Sequence, residues 1–568
     1  MFDKIKNDLQ TAIKKQPQSA RLLSAGAAVL VIGGSLATYW LIVQNNQIGN
    51  TPIGSEVIPQ NAAFAVSLTA DSNQWQKFKQ FGTPESRALI DEQIKQWRNQ
   101  LLTEKGYDYE KDIQPWVGRE VMLAWLTPQT SGIVNQPLLM VLPVSNGGRA
   151  KQWFNNPSKA STERTYKEIK IKENLTKENS FSVALLDEKY GLISNDPKAL
   201  DQAIDSYKNG QSITKIPGYS QAFGQLEKSG SVARVFVNFP AATQLAAMNS
   251  VRAIAPENLE KLQLQGIASN LTLEPEGLRF QGISWLKPDS EKKQIVENNA
   301  KSISSKVPAN TLMMISGTNL QHLWKDYAEN ADANPLAPMS PQWLKNGIAS
   351  STGLNLEKDL LSWMSGEFSL SLIPDAAKTN PQFPTSLVLM VRSNDRRAGE
   401  EALKKLNKVM TDKYRYKVEE TKVNDQFVTN WTSQYGGITL SHGWLNGNVA
   451  FLTLGARVTP TFNPRPQTPL PASETFQKAM KSKLENPGGQ LFVNLEEIMG
   501  NKQLFFLQLP PVFQTITGAI RTIGFTSVVA NDRNTKFDIL LQMKQQTQPV
   551  VSPTPTNKPQ PSPSPQKK

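Results

Sequence analysis

The chain has 568 residues, 39% hydrophobic and 20% charged, so it can build a packed core and is not disordered as a whole. Lys and Arg number 62 against 49 Asp and Glu, a formal net charge of +13, and there are two histidines and no cysteine. That inventory excludes disulfides, thiolate zinc sites, iron–sulfur clusters and cysteine nucleophiles, and with them a multi-histidine metal centre within one chain.

Residues 1–21 are a basic segment, in which Lys4, Lys6, Lys14, Lys15 and Arg21 are opposed by Asp3 and Asp8. Phe2, Ile5, Leu9, Ala12 and Ile13 recur beside the lysines at helical spacing, which fits either an amphipathic surface helix or a plain basic flank. Residues 22–43 carry no charge at all. As a helix they reach about 33 Å, enough to cross a hydrocarbon core of ~30 Å. The stretch ends in Tyr39-Trp40-Leu41-Ile42-Val43 and then Gln44-Asn45-Asn46, with no small-residue cleavage site, so a single uncleaved transmembrane helix is expected, with the lipid bilayer as its partner. The next charge is Glu56. Positive charge kept inside then places the N-terminus in the cytoplasm and the remainder beyond it. Residues 44–55 form a linker between this anchor and the first folded domain.

From Glu56 onward the chain repeats itself. At an offset near 248 residues, Val57-Ile58-Pro59-Gln60-Asn61-Ala62 returns as Lys306-Val307-Pro308-Ala309-Asn310-Thr311, each leading into an apolar strand. Trp75 and Phe78 return as Trp324 and Tyr327, three apart on one helix face. Gly106-Tyr107-Asp108-Tyr109-Glu110-Lys111-Asp112 returns as Gly353-Leu354-Asn355-Leu356-Glu357-Lys358-Asp359, followed by Trp116 and Gly118, then by Trp363 and Gly366. The strand ending at Asn146 matches the one ending at Asn394, Ala150 and Ala398 open similar helices, and Phe236-Val237-Asn238 matches Phe492-Val493-Asn494. Colinear matches of so long a period predict two tandem domains, 56–289 and 306–544, joined by a polar linker at 290–305, helical or extended. Strands alternate with helices and end in a hairpin, with turns at Glu274–Gly277 and Asn531–Asn534. The expected fold class is therefore α+β: the transmembrane helix, then two homologous mixed helix and antiparallel-sheet domains. Thr459–Ala472 holds five prolines and reads as a loop. Residues 545–568 form a Pro-rich tail with too little apolar surface to fold.

The Pro-x-Asn motifs (Pro59-Gln60-Asn61, Pro308-Ala309-Asn310) and the Gly-x-Asp/Asn-x-Glu-Lys-Asp segments resemble a family of bacterial membrane-anchored proteins, frequent in cyanobacteria, known as a domain of unknown function. The resemblance implies an extracytoplasmic location, in periplasm or thylakoid lumen. It brings no activity, cofactor or catalytic residue.

Individual residues add little chemistry. His322 lies on a predicted helix and His442 at a predicted strand end, neither with a second histidine at metal-ligand spacing, and both read as structural or exposed. Glu110-Lys111-Asp112 and Glu357-Lys358-Asp359 could act as acid–base pairs or calcium ligands, but they follow Asp108 and Asn355 at helix starts, where acids cap the helix and meet its dipole. The tryptophans read as core rather than as a pocket lining, and Phe505–Phe513, too short to span a membrane, as buried. No phosphate-binding, dinucleotide, nucleophile-elbow or HExxH motif occurs, and no basic patch points to nucleic acid. No catalytic, cofactor-binding or metal residue is assigned. The expected function is non-enzymatic binding or scaffolding of an envelope or thylakoid protein partner. The alternative is a carrier or chaperone of an apolar ligand such as lipid or pigment, and a carboxylate hydrolase ranks third.

Overall fold

Apolar side chains run through β10 (Gly277–Leu286) and β20 (Asn534–Met543), and this computed structural model pairs the two strands antiparallel, with Gly277 opposite Gln542 and Trp285 opposite Asn534. The structure describes residues 51–545 apart from 104–106, 129–135, 157–161, 175–180, 228–229, 249–262, 301, 332–338, 376–383, 434–438, 502–503 and 505–510. The predicted segments 1–21 and 22–43, residues 44–50 of linker 44–55, the tail beyond Gln545 and most of the Phe505–Phe513 run thus lie outside the described residues. Among the described residues no helix is long and apolar enough to cross a membrane.

In the first half the central strand β1 (Ala62–Thr69) lies between β2 (Glu120–Leu126) and β8 (Ser231–Asn238). Beyond β2 come β3 (Leu138–Pro143), β7 (Tyr190–Ser194), β6 (Phe181–Leu186), β5 (Ile169–Asn174) and the edge strand β4 (Thr162–Tyr166). Beyond β8 come β9 (Leu264–Glu274) and β10. The second half follows the same scheme. Its central strand β11 (Met313–Gly317) lies between β12 (Phe368–Pro374) and β18 (Gly489–Asn494). Beyond β12 come β13 (Thr385–Arg392), β17 (Val449–Gly455), β16 (Thr439–Leu445), β15 (Gln426–Thr432) and β14 (Lys417–Val423). Beyond β18 come β19 (Ile520–Val529) and β20.

The β10–β20 pairing joins all twenty strands into one sheet. This corrects the expected fold class of two separate α+β domains: a single antiparallel sheet runs through both halves. The reason is local. A closing strand presents a row of unpaired N–H and C=O groups that must be paired or protected, and side-chain alternation says nothing of what lies on that edge. Here each half's last strand satisfies the other's.

Helices cover the two faces. In the first half Ser72–Phe78, Pro84–Leu101 and Gly147–Asn155 lie on one side, where Trp75, Trp116 and Trp153 pack with Leu123 and Ile193. Pro197–Asn209 and Tyr219–Gly224 lie on the other, with Ile204, Tyr219 and Phe223 against Met122 and Phe236. Each buried aliphatic or Phe side chain there contributes about 1.5–3 kcal/mol over an exposed one. In the second half Met390, Phe451 and Phe492 meet Phe462 and Leu470 from the proline-rich segment, which is a loop with two short turns, Thr459–Thr461 and Leu470–Ala472. Trp363, Phe368, Val391 and Ala402 form a smaller cluster on the opposite face. The described residues of the inter-half linker have no regular secondary structure before a short turn at Ile303–Lys306, and the linker is tied down by Gln294 N–H to Asp532 O (2.8 Å) and Ala300 N–H to Pro487 O (2.8 Å).

Candidate functional site

The repeated acidic segments are caps. Each opens a single π-helical turn, Tyr109–Ile113 and Leu356–Leu360. The Asp108 side chain accepts from Lys111 N–H (3.0 Å) and Asn355 from Glu357 and Lys358 N–H (3.0 and 2.8 Å). Asp112 and Asp359 reach back to the N–H of Asp108 and Asn355 (2.7 and 2.8 Å), a reciprocal arrangement of the capping-box kind. The backbone N–H of Asn355, then Lys405, hold the Asp359 carboxyl below its ordinary range. Lys345 and the Trp324 indole N–H do the same for Glu357. These carboxylates are occupied in shaping the chain, and no group of three or more potential metal ligands occurs among the described residues.

The histidines have separate partners. On helix Leu320–Asn330, His322 Nδ1 lies 3.4 Å from Glu297 Oε2, both half-exposed. His442, expected at a strand end, lies inside β16, is buried, and its Nε2 lies 2.8 Å from Asn407 Oδ1. That oxygen also accepts from Trp431 Nε1 (2.6 Å). Because the indole can only donate, the Asn407 atom is the oxygen, and His442 carries its proton on Nε2. Trp75, Trp116 and Trp363 are core, as read, whereas Trp324 is only half-buried.

Sequence reasoning passed over two other acids. Glu120 Oε2 accepts from Ile53 N–H (3.1 Å) and Ser67 Oγ (2.7 Å), and Arg234 Nη1 stands 3.8 Å from its other oxygen. Glu367 accepts from Ile303 N–H (2.9 Å) and from Ser302 Oγ. Each carboxylate latches the chain as it enters its half of the sheet. Burial, opposed by Glu120, pushes the Arg234 guanidinium down from its ordinary range. The signal was a lone acid after Gly118-Arg119 and after Gly366, where an apolar strand begins.

The seam between the halves holds the most distinctive geometry. Gln281 faces Asp538 at its middle rung. On one face Arg279 Nη1 donates to both Asp538 oxygens (2.9 and 2.8 Å), Nε to Glu274 (3.1 Å) and Nη2 to the Lys481 carbonyl (2.8 Å), with Arg279 and Asp538 themselves buried. Cavities open at the two ends of this ladder. Three residues from the middle in one direction, Leu278 faces Leu541; three residues in the other, Ser284 faces Thr535. At the leucine end lies a cavity of about 420 Å³, within the range of small-molecule sites, ~300–1,000 Å³. Its deep wall is Phe81, Leu278, Ile520 and Leu541, its outer wall Phe78, Ile516 and Met543, and its mouth carries Lys79, Arg87 and Asp91. At the other end an open cleft of about 1140 Å³ is lined by Gln263 and Thr535 and by the charged Glu291, Lys292, Lys325 and Asp326, with Lys292 paired to Asp326 at 2.8 Å.

A family model described as a protein of unknown function (DUF3352) matches residues 23–543. No curated protein matches the chain. Among solved structures it is similar to TP0453 in crystal form III, at 10% identity over 43% of this chain and 82% of that one, with a TM-score of 0.24. Crystal form IV of the same protein matches at 10% identity over 42% and 81%, with a TM-score of 0.23. Scores of this size carry no argument about fold or function.

Proposed function

The chain belongs to the family described as protein of unknown function (DUF3352), and from that premise we propose that it is a non-enzymatic binding protein whose ligand is apolar and lodges in the cavity at the leucine end of the seam. In this reading residues 22–43 anchor it in a membrane, its two halves descend from tandem copies of one module, and both face the periplasm or thylakoid lumen. Scaffolding of an envelope partner is compatible with the same site.

One observation carries the proposal. At one end of the β10–β20 ladder Leu278 and Leu541 line a cavity whose walls are apolar apart from its rim, whereas at the other end Thr535 lies in a wide cleft that mixes apolar and charged side chains. Leu278, Leu541, Ile520 and Phe81 belong to the apolar core of the first half, and the cavity opens directly against them. An apolar cavity with few polar groups at its mouth is the usual form of a site for an apolar ligand. The cleft at the other end sets Phe239, Leu264 and Phe368 among charged residues such as Glu291, Lys293 and Glu329, so the proposal concerns one site and not two.

Titration of the full chain with the uncharged apolar fluorophore N-phenyl-1-naphthylamine tests it. Saturable binding is expected, weakened about tenfold by Ala88→Trp, which places a large ring among the lining residues from an exposed helix position. The melting temperature should stay unchanged. Absence of saturable binding, or binding indifferent to Ala88→Trp, overturns the proposal.

A further inference from the structure

The mouth of the same cavity is not apolar. Lys79 and Asp91 are exposed there and Arg87 is half-buried, so two cations and one carboxylate border an opening whose interior is Phe, Leu and Ile. Arg87 is held in place, its Nε donating to Thr83 O at 3.3 Å. Its segment is pinned to the sheet by Gly82 N–H to Lys544 O at 2.7 Å and by the bridge between Phe81 and Gln545. A ligand of carbon and hydrogen alone gains nothing from this rim, whereas a negative group held beside an apolar wall feels the cations more strongly than it would in open water. The cleft at the far end of the seam lacks this imbalance, since its three lysines are outnumbered by Glu291, Glu297, Asp326 and Glu329.

Resting on the apolar-ligand reading above, we propose that the ligand is an anionic amphiphile: a single hydrocarbon chain in the cavity between Phe81, Leu278, Ile520 and Leu541, with a carboxylate or phosphate head held between Lys79 and Arg87. Asp91 faces the same opening and weakens the attraction, which makes it a second handle on the site.

Displacement of N-phenyl-1-naphthylamine from the full chain, kept in a fluorinated surfactant that mixes poorly with hydrocarbon, distinguishes the outcomes. The competitors are dodecanol, dodecanoate and dodecyl phosphate, identical in chain and different in head. An anionic competitor should act at about tenfold lower concentration than dodecanol, as a charge-assisted hydrogen bond implies. The stronger of the two anions names the source, a fatty carboxylate or a phosphate monoester lipid. Lys79→Met and Arg87→Met should remove most of the anion's advantage while leaving dodecanol as potent as before, and Asp91→Asn should enlarge it, a gain that misfolding does not produce. Equal potency of all three competitors, or an advantage that survives both cation substitutions, overturns the anionic head and leaves the apolar site standing. Failure of every competitor, with no saturable fluorophore binding, overturns both.

Discussion

His442, Asn407 and Trp431 show how a single buried side chain sets a pH limit. Burial pushes the imidazole down from its ordinary 6.5 to about 4. The folded protein therefore keeps His442 neutral in a range where the unfolded chain has already taken up the proton. Stability is fully present above pH 6.5 and falls as the pH drops towards 4, because unfolding binds a proton throughout that window. The loss from this residue at pH 4.5 is about 2–3 kcal/mol. Urea unfolding at pH 7 and pH 4.5 measures it: His442→Gln should be less stable than the parent at pH 7 and should lose less on acidification. An equal loss in both proteins shows that His442 is not the group responsible. The capping acids were legible at this scale because a cap is a contact between residues close in sequence, Asp108 with Lys111 and Asn355 with Lys358. The His442–Asn407 contact joins residues 35 apart, and spacing gave no sign of it.

Among the elements, the repeated glycines Gly118 and Gly366 are fixed by close packing and not by backbone conformation. Gly118 and Gly366 precede strands, a place where a positive φ is expected, yet neither is among the positive-φ glycines. Each is instead pressed against the end of a neighbouring strand. Gly118 N–H donates to Pro143 O at 2.6 Å and Gly366 N–H to Arg392 O at 3.2 Å. An added Cβ would stand 3.2 Å from Pro143 O and 2.6 Å from Arg392 O. Because both clashes are with a backbone carbonyl and the one at Gly366 is closer, Gly366→Ala should cost more than Gly118→Ala, about 1–3 kcal/mol. Chemical denaturation of the two variants ranks them, and the reverse order contradicts the packing account. Strands and caps follow from local pattern, but which carbonyl a glycine must clear is decided by a strand some 25 residues further along the chain.

For the whole molecule, stability passes through the seam. Arg279 and Asp538 lie 259 residues apart in sequence, and their buried pair carries four further contacts, to Glu274, to Lys481 O, from Ser482 Oγ and from Lys483 N–H. Removing one partner leaves the other charge buried and uncompensated, so Arg279→Met should cost about 3–5 kcal/mol. Replacing both, as in Arg279→Met with Asp538→Leu, should recover most of that loss, because the desolvation of the charges disappears along with their attraction. A double-mutant cycle on thermal unfolding gives the coupling. Simple additivity of the two single losses shows that the pair does not act as a unit across the seam.

The amino-acid order by itself settled what depends on neighbours: the strands from two-residue alternation, the caps from Asp108 and Asn355, the buried Trp75, Trp116 and Trp363, and the turns at Glu274–Gly277 and Asn531–Asn534. The tertiary structure alone decided what the closing strands would pair with, and hence that one sheet exists and not two. It also alone brought Leu278 opposite Leu541, and Phe81 and Ile520 to the same cavity. Alternation specifies which side of a strand is apolar. It carries no information about the hydrogen-bonding edge, and a site built across that edge becomes visible only once the edge has found its partner.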